Sequence, residues 1–179
     1  VHGRDARSRA ELALDTNGKV LALRVRTLAN VGGYASVTAV IIPLLIGPWV
    51  TTSIYDIRTI DLHFSAVMTN KATVGAYRGA GRPEAIYITE RLFDAAAREV
   101  SLDPAELRRR NLIRPAQMPY TNAMAQVYDV GHFERVLDRG GLPAMQVDLP
   151  GIDEAFMRRA SDAQLDFVPP ISRLVNETF

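Results

Sequence analysis

The stretch AELALDTNGKVLALRVRTLA, residues 10–29, sets apolar and polar residues in near alternation on both sides of Asp15-Thr16-Asn17-Gly18. Side chains of a strand point to opposite faces in turn, so alternation buries one face of a sheet. An Asn-Gly pair supplies the positive φ angles that a tight reversal needs. The stretch predicts a β-hairpin. Downstream, IYDIRTIDLHFSAVMTN (residues 54–70) is rich in β-branched and aromatic residues and predicts one or two further strands. From Pro83 onward the pattern changes to a helical period: Ala85, Ile88, Leu92, Ala96 and Val100 share one face, with Glu90, Asp94 and Arg98 on another. Asp94 and Arg98, one turn apart, are expected to pair. In LDPAELRRRN (102–111), Asp103 can cap, Pro104 takes the first helical position and Glu106 completes a capping box. A last helix is expected from Phe133 to Arg139 after a loop-like stretch. Strands followed by helices predict an α+β fold, a mixed sheet with a long amphipathic helix and short helices.

Composition bounds the function. The 179 residues are 47% hydrophobic and 23% charged, the make-up of about one globular domain with a sizeable core. A formal net charge of +1 gives no broad footprint for nucleic acid or an anionic membrane, so neither is expected as a partner. With no cysteine, thiolate metal sites and cysteine nucleophiles are excluded within the chain, which suits a cytoplasmic location. The apolar run VTAVIIPLLIGPWV (37–50) is broken by Pro43, Gly47 and Pro48 and is too short to span a bilayer; it reads as buried core, Trp49 included. His2, His63 and His132 have no ligand spacing, so no metal site is expected from them. Arg108, Arg109 and Arg110 fan out around a helix and read as solvated charge.

The chemistry concentrates in GAYRGAGRPEA, residues 75–85, where Arg78 and Arg82 stand among glycines at a helix start. Amides at a helix N-terminus lack helical partners and carry partial positive charge. Gly79 and Gly81 keep side chains away from those donors and permit the positive φ angles of an anion cradle. Arg78 and Arg82 add planar donors for oxygen-rich groups. The loop has neither the Gly-Lys-Ser/Thr of a P-loop nor the third glycine of a dinucleotide fingerprint, whose place Glu84 occupies. A plain strand-to-helix turn with two exposed arginines explains the same residues.

The run from Gly75 to Arg139, with AYRGAGRPEA, DPAELRRRN and MPYT in order, resembles the large, molybdopterin-binding subunit of the molybdenum hydroxylases: the aldehyde oxidase, xanthine dehydrogenase and carbon monoxide dehydrogenase family. The likeness extends back through LANVGGYAS and the hairpin to HGRD, covering roughly residues 2–140. It implies a division into a partial molybdopterin-binding domain, residues 1–141, and a C-terminal segment of unrecognised origin, residues 142–179, with at most a short helix after Asp153. It implies a molybdenum–molybdopterin cofactor in the cytosine dinucleotide form, bound by Arg78, with Gly79, Ala80 and Gly81 lining the pocket beside the metal. Tyr77 is expected to fix the loop, and Arg82 to add a further cofactor contact. It implies hydroxylation of an electron-poor carbon with water as oxygen source, electrons leaving through the 2Fe–2S clusters of a small subunit to FAD on a medium subunit.

Departures narrow the expectation. Purine-oxidising members carry an aromatic residue where Ala80 stands, and carbon monoxide oxidisers a copper-binding cysteine where Gly79 stands. An aldehyde or N-heterocycle is the substrate class that remains. The family's general-base glutamate, its later cofactor loops and the glycine-rich motif ahead of HGRD have no counterpart here, and Glu84 is not that base. A truncated, frameshifted or fused gene product, inactive in isolation, is therefore expected. A non-catalytic remnant or scaffold, and a simple phosphate-binding module, are the other readings.

Overall fold

The computed structural model describes residues 3–139 and 176–178. The hairpin forms as its pattern dictates: β1 (Ala6–Leu14) runs antiparallel to β2 (Val20–Gly32), with Leu12 opposite Leu23 and Ala10 opposite Val25. The turn closes through Asp15, whose carboxylate accepts from the Asn17 and Lys19 amides, while Gly18 takes φ +78. Residues 54–70 supply one strand, β3 (Thr59–Met68), which pairs parallel to β2 with Val25 opposite Leu62. The sheet order is β3-β2-β1-β6, where β6 is Asn176–Thr178. The short helix expected after Asp153 lies outside the described residues.

A parallel pair needs a crossover, and the apolar run provides it. Residues 37–50 are helical: α1 (Val37–Ile41), a π turn (Ile42–Ile46) and α2 (Gly47–Trp49). Pro43 has no N–H to donate back along the helix, and the ladder widens so that the Gly47 N–H bonds to the Ile42 carbonyl. The run is not uniformly buried core, because the connection packs one side against β3 and the helix Arg82–Glu99 and leaves the other exposed. Ala39, Gly47 and Pro48 are buried, whereas Val37 is 79% and Trp49 38% exposed.

One face of the sheet is covered by α3 (Arg82–Glu99), whose Leu92, Phe93, Ala96 and Ala97 are fully buried against Leu12, Leu23 and Val25. The other face carries charge, with Asp61 held by Arg24 at 2.9 Å and by Arg26 at 2.7 Å. Helix α4 (Pro104–Asn111) begins at the Asp103 cap, the Glu106 amide donating to the Asp103 carboxylate at 2.9 Å, whereas the Glu106 side chain turns to Arg110 and Arg109 and does not close the box. A two-rung ladder follows between β4 (Tyr120–Thr121) and β5 (Val127–Tyr128), in a stretch expected to be loop, before α5 (Phe133–Arg139).

Two expectations on charge are corrected. Asp94 pairs with Arg108 at 2.9 Å rather than with Arg98, because α4 folds back against α3. The three arginines do fan out, and each is paired: Arg108 is largely withdrawn from solvent, whereas Arg109 and Arg110 make their contacts at the surface. Arg108 donates to Glu90, which also accepts from the Tyr55 hydroxyl at 2.8 Å; Arg109 holds Asp138 of α5; Arg110 donates to Glu106 and to the Asn17 carbonyl. Among the described residues no helix is long and apolar enough to cross a membrane.

Candidate cofactor site

The chain from β3 to α3 passes through residues 69–81 and enters the helix in a left-handed conformation at three successive residues: Gly79 (φ +92), Ala80 (φ +43) and Gly81 (φ +87). Glycine is required at two of them. A Cβ on Gly81 would stand 2.9 Å from the Gly47 nitrogen, and one on Gly79 would stand 2.6 Å from the Pro83 ring. Alanine at 80 accepts a conformation that costs an L-residue roughly 1 kcal/mol. The turn is held by the Ala80 N–H on the Tyr77 carbonyl at 2.8 Å and the Arg82 N–H on the Gly79 carbonyl at 3.1 Å. Those two amides are spent within the loop, so the cradle is narrower than the sequence implies. The Gly79 and Gly81 amides have no partner among the described residues.

The predicted residues separate into two groups. Tyr77, Ala80 and Gly81 line a cavity of about 70 Å³ enclosed by the inner faces of β1 and β2, the π turn and the start of α3. Arg78, Gly79 and Arg82 do not line it; they are exposed, and the Arg78 side chain has no partner among the described residues. Arg82 makes only a long contact, Nη1 to the Gly79 carbonyl at 3.5 Å. The cavity is mostly apolar, with Val25, Ala29, Ile42 and Phe64 in its wall, and its polar groups include the buried Ser8–Thr27 hydroxyl pair, 2.9 Å apart, and Glu84. Glu84 Oε2 is buried without a hydrogen-bond partner.

Sequence reasoning gave Arg4 no role, and the structure places it at the centre of the loop's support. Its Nε lies 3.0 Å from Glu84 Oε1, its Nη2 donates to the Arg78 carbonyl, and its guanidinium stands 4.9 Å from the centre of the Tyr77 ring. The only signal was its place in HGRD. Its partners are far along the chain, so no local pattern announces them. Tyr77 is 64% exposed yet packs against Gly3, where a Cβ would come within 2.9 Å of its own. Among the described residues no group of three histidine or acidic side chains could hold a metal.

The family model described as the molybdopterin cofactor-binding domain matches residues 1–112. The chain belongs to the molybdopterin-binding large subunits of the molybdenum hydroxylases. It is 36% identical to the carbon monoxide dehydrogenase large chain of Hydrogenophaga pseudoflava, over 81% of this chain and 19% of that one. It is 35% identical to subunit gamma of the 6-hydroxypseudooxynicotine dehydrogenase complex of Paenarthrobacter nicotinovorans, over 74% of this chain and 17% of that one. Among solved structures, quinoline 2-oxidoreductase from Pseudomonas putida 86 superposes with a TM-score of 0.75 at 30% identity, covering 91% of this chain and 20% of that one. This large-subunit chain thus spans about a fifth of the length of the relatives it matches. Those relatives are oxidoreductases, and one is a subunit of a named complex.

Proposed function

We propose that this chain is the part of a catalytic large subunit that receives molybdopterin at the loop 77–82, in a hydroxylase acting on an aldehyde or an N-heterocycle. The observation that carries the reading is the pairing of the Arg78 side chain with the Gly79 and Gly81 amides on one left-handed turn, all three without a partner among the described residues. Oriented amides and a planar guanidinium suit phosphate and other oxygen-rich groups. The cavity, which is partly open to solvent, does not fit the whole cofactor. At about 70 Å³ it falls well short of the several hundred Å³ that a ligand of cofactor size fills. The cofactor therefore lies against the exposed side, bonded by Arg78 and the Gly79 amide, with Arg82 beside it and the remaining walls outside these 179 residues. Tyr77 and Gly81 then shape the loop from behind.

When bound, the molybdenum centre supplies the redox chemistry of hydroxylation with water as oxygen source. The residues of this chain bind and orient it. Ala80 offers no ring to stack on a purine, and Gly79 offers no thiolate for copper, which favours aldehydes and N-heterocycles; the names of the quinoline and 6-hydroxypseudooxynicotine enzymes fit that choice. The cytosine dinucleotide form of the cofactor, the FAD and iron–sulfur partner subunits, and the division at residue 141 belong to the same proposal.

The test is assembly of the full-length large subunit with its partner subunits, followed by molybdenum analysis and dye reduction with aldehydes and N-heterocycles. Stoichiometric molybdenum with turnover on one of these classes supports the reading. A folded complex that contains no molybdenum and reduces no dye rejects it.

A further inference from the structure

Arg4 touches two residues of the loop and the helix behind it at once: the Tyr77 ring, the Arg78 carbonyl and the Glu84 carboxylate of α3. The contact to the carbonyl matters most. The Arg78 carbonyl and the Gly79 N–H belong to one planar trans peptide and point in opposite directions. Whatever holds that carbonyl therefore also aims the Gly79 amide, one of the two donors of the turn without a partner among the described residues. The turn needs such a hold. Three consecutive positive φ angles, one of them on alanine, are unfavourable unless the surroundings impose them. Gly81 is wedged against Gly47 and Ile42, and Gly79 against Pro83, but neither contact sets the 78–79 peptide. Arg4 does so from 74 residues away.

Glu84 is the second half of the device. Its Oε1 fixes Arg4 Nε, and because it sits in the first turn of α3 it ties the guanidinium to the rigid part of the scaffold. Arg4 itself adopts φ +36, an uncommon value for a non-glycine residue, so the segment Gly3–Asp5 bends to bring the side chain under the loop. A planar fork can serve a carboxylate, a carbonyl and an aromatic face together, whereas an ammonium cannot span them in one geometry.

We propose that Arg4 is a positioning residue for the cofactor: through the 78–79 peptide and Glu84 it aims the Gly79 amide and presents Arg78. The inference rests on the reading given under Proposed function. It is tested in the full-length large subunit assembled with its partners, comparing wild type with Arg4→Gln, Arg4→Lys and Arg110→Ala. Arg110 is the control, an arginine that also clips distant segments, joining α4 to the Asn17 carbonyl away from the loop. Three quantities are read: molybdenum per folded complex, the Mo(V) electron paramagnetic resonance signal of the reduced complex, and the unfolding temperature.

The expected result for Arg4→Gln is a loss of molybdenum of roughly tenfold or an altered Mo(V) signal, as when a residue supporting a metal's ligands is removed. Arg4→Lys, which keeps the charge opposite Glu84, falls between this variant and wild type. Arg110→Ala keeps its molybdenum and its signal even where its unfolding temperature drops. The proposal is overturned if Arg4→Lys matches wild type in both molybdenum and signal, or if Arg110→Ala loses as much molybdenum as Arg4→Gln. Should Arg4→Gln fail to assemble, the lysine variant decides by itself. Wild-type complex without molybdenum rejects the functional reading as well; full wild-type occupancy with unaffected Arg4 variants rejects only this inference.

Discussion

The carboxamide oxygen of Asn111 accepts the Val20 amide at 2.8 Å, joining the last residue of α4 to the first residue of β2 across 91 positions. Its Nδ2 donates to the Gly18 and Leu107 carbonyls, each at 2.8 Å, and the side chain is fully buried. Every hydrogen-bonding atom of the amide is therefore used to seat the hairpin turn on the helix. Asn111→Ala leaves a buried N–H and a buried C=O without partners, each costing about 1–3 kcal/mol. A loss of about 3 kcal/mol in denaturant unfolding is expected. A loss below about 0.5 kcal/mol, the range of an ordinary surface change, would show that the link carries no weight.

Asp56 predicts the pH response. Its carboxylate accepts from Gln117 Nε2, the Tyr120 hydroxyl and Arg58 Nε, all at 3.0 Å, with Lys19 Nζ at 3.7 Å. Burial raises its pKa, but the hydrogen bonds from Gln117, Tyr120 and Arg58 outweigh that and hold it below the usual carboxylate value. A depressed pKa contributes stability that is present above the unfolded value, about 4, and is lost as pH falls through the folded one. The Tyr120 hydroxyl is pushed up to about 12 by burial and then by Asp56. That contribution is present below the unfolded value, about 10, and is lost as pH rises through the folded one. Asp56→Asn should thus flatten the fall of the unfolding temperature below about pH 4 and make Tyr120 ionise earlier in a spectroscopic titration. Acid limbs of equal slope in the two proteins would count against the network.

What the sequence made legible is what local rules control. The hairpin, the Asp103 cap and the bounds of α5 follow from alternation, capping chemistry and helical period within a few residues. The parallel pairing of β2 with β3 does not, because no short-range signal distinguishes a neighbour in sequence from a neighbour in the sheet. The burial of residues 37–50 is not legible locally, since a short apolar run broken by proline is compatible with several burial patterns, and only the crossover requirement makes it a half-exposed helical connection. Arg108 chose Glu90 and Asp94 through the packing of α4 on α3, which periodicity does not report. The same holds at the site: the turn at Gly79–Gly81 could be expected, but the arginine that sets it lies near the other end of the described chain.

Gly81→Ala tests the shape of the turn. The substitution asks an L-residue to hold φ +87 and drives its Cβ to 2.9 Å from the Gly47 nitrogen and 3.1 Å from the Ile42 carbonyl, both backbone atoms that cannot swing aside. Strain of about 1–3 kcal/mol is expected in unfolding experiments, together with displacement of the loop from the π turn. Gly33→Ala is the contrast, since its nearest neighbours are ordinary contacts at 3.5 Å and no positive φ is involved. Equal stability of the two variants would mean that the close approach of Gly81 to Gly47 does not exist in solution.

Arg78→Ala separates binding from folding. The side chain is exposed and unpartnered among the described residues, so its removal should change the unfolding free energy by less than about 0.5 kcal/mol. Its planar fork is expected to bond the cofactor, and a charge-assisted bidentate contact is worth about 1.5–3 kcal/mol. In the full-length complex the variant should therefore retain about a tenth or less of the wild-type molybdenum, while the two proteins freed of cofactor unfold at the same temperature. Arg78→Lys keeps the charge but not the fork, and recovers only part of the loss. An arginine that served only as exposed charge on a turn would give wild-type molybdenum in both variants, and the amides of the turn would then have to account for the binding without it.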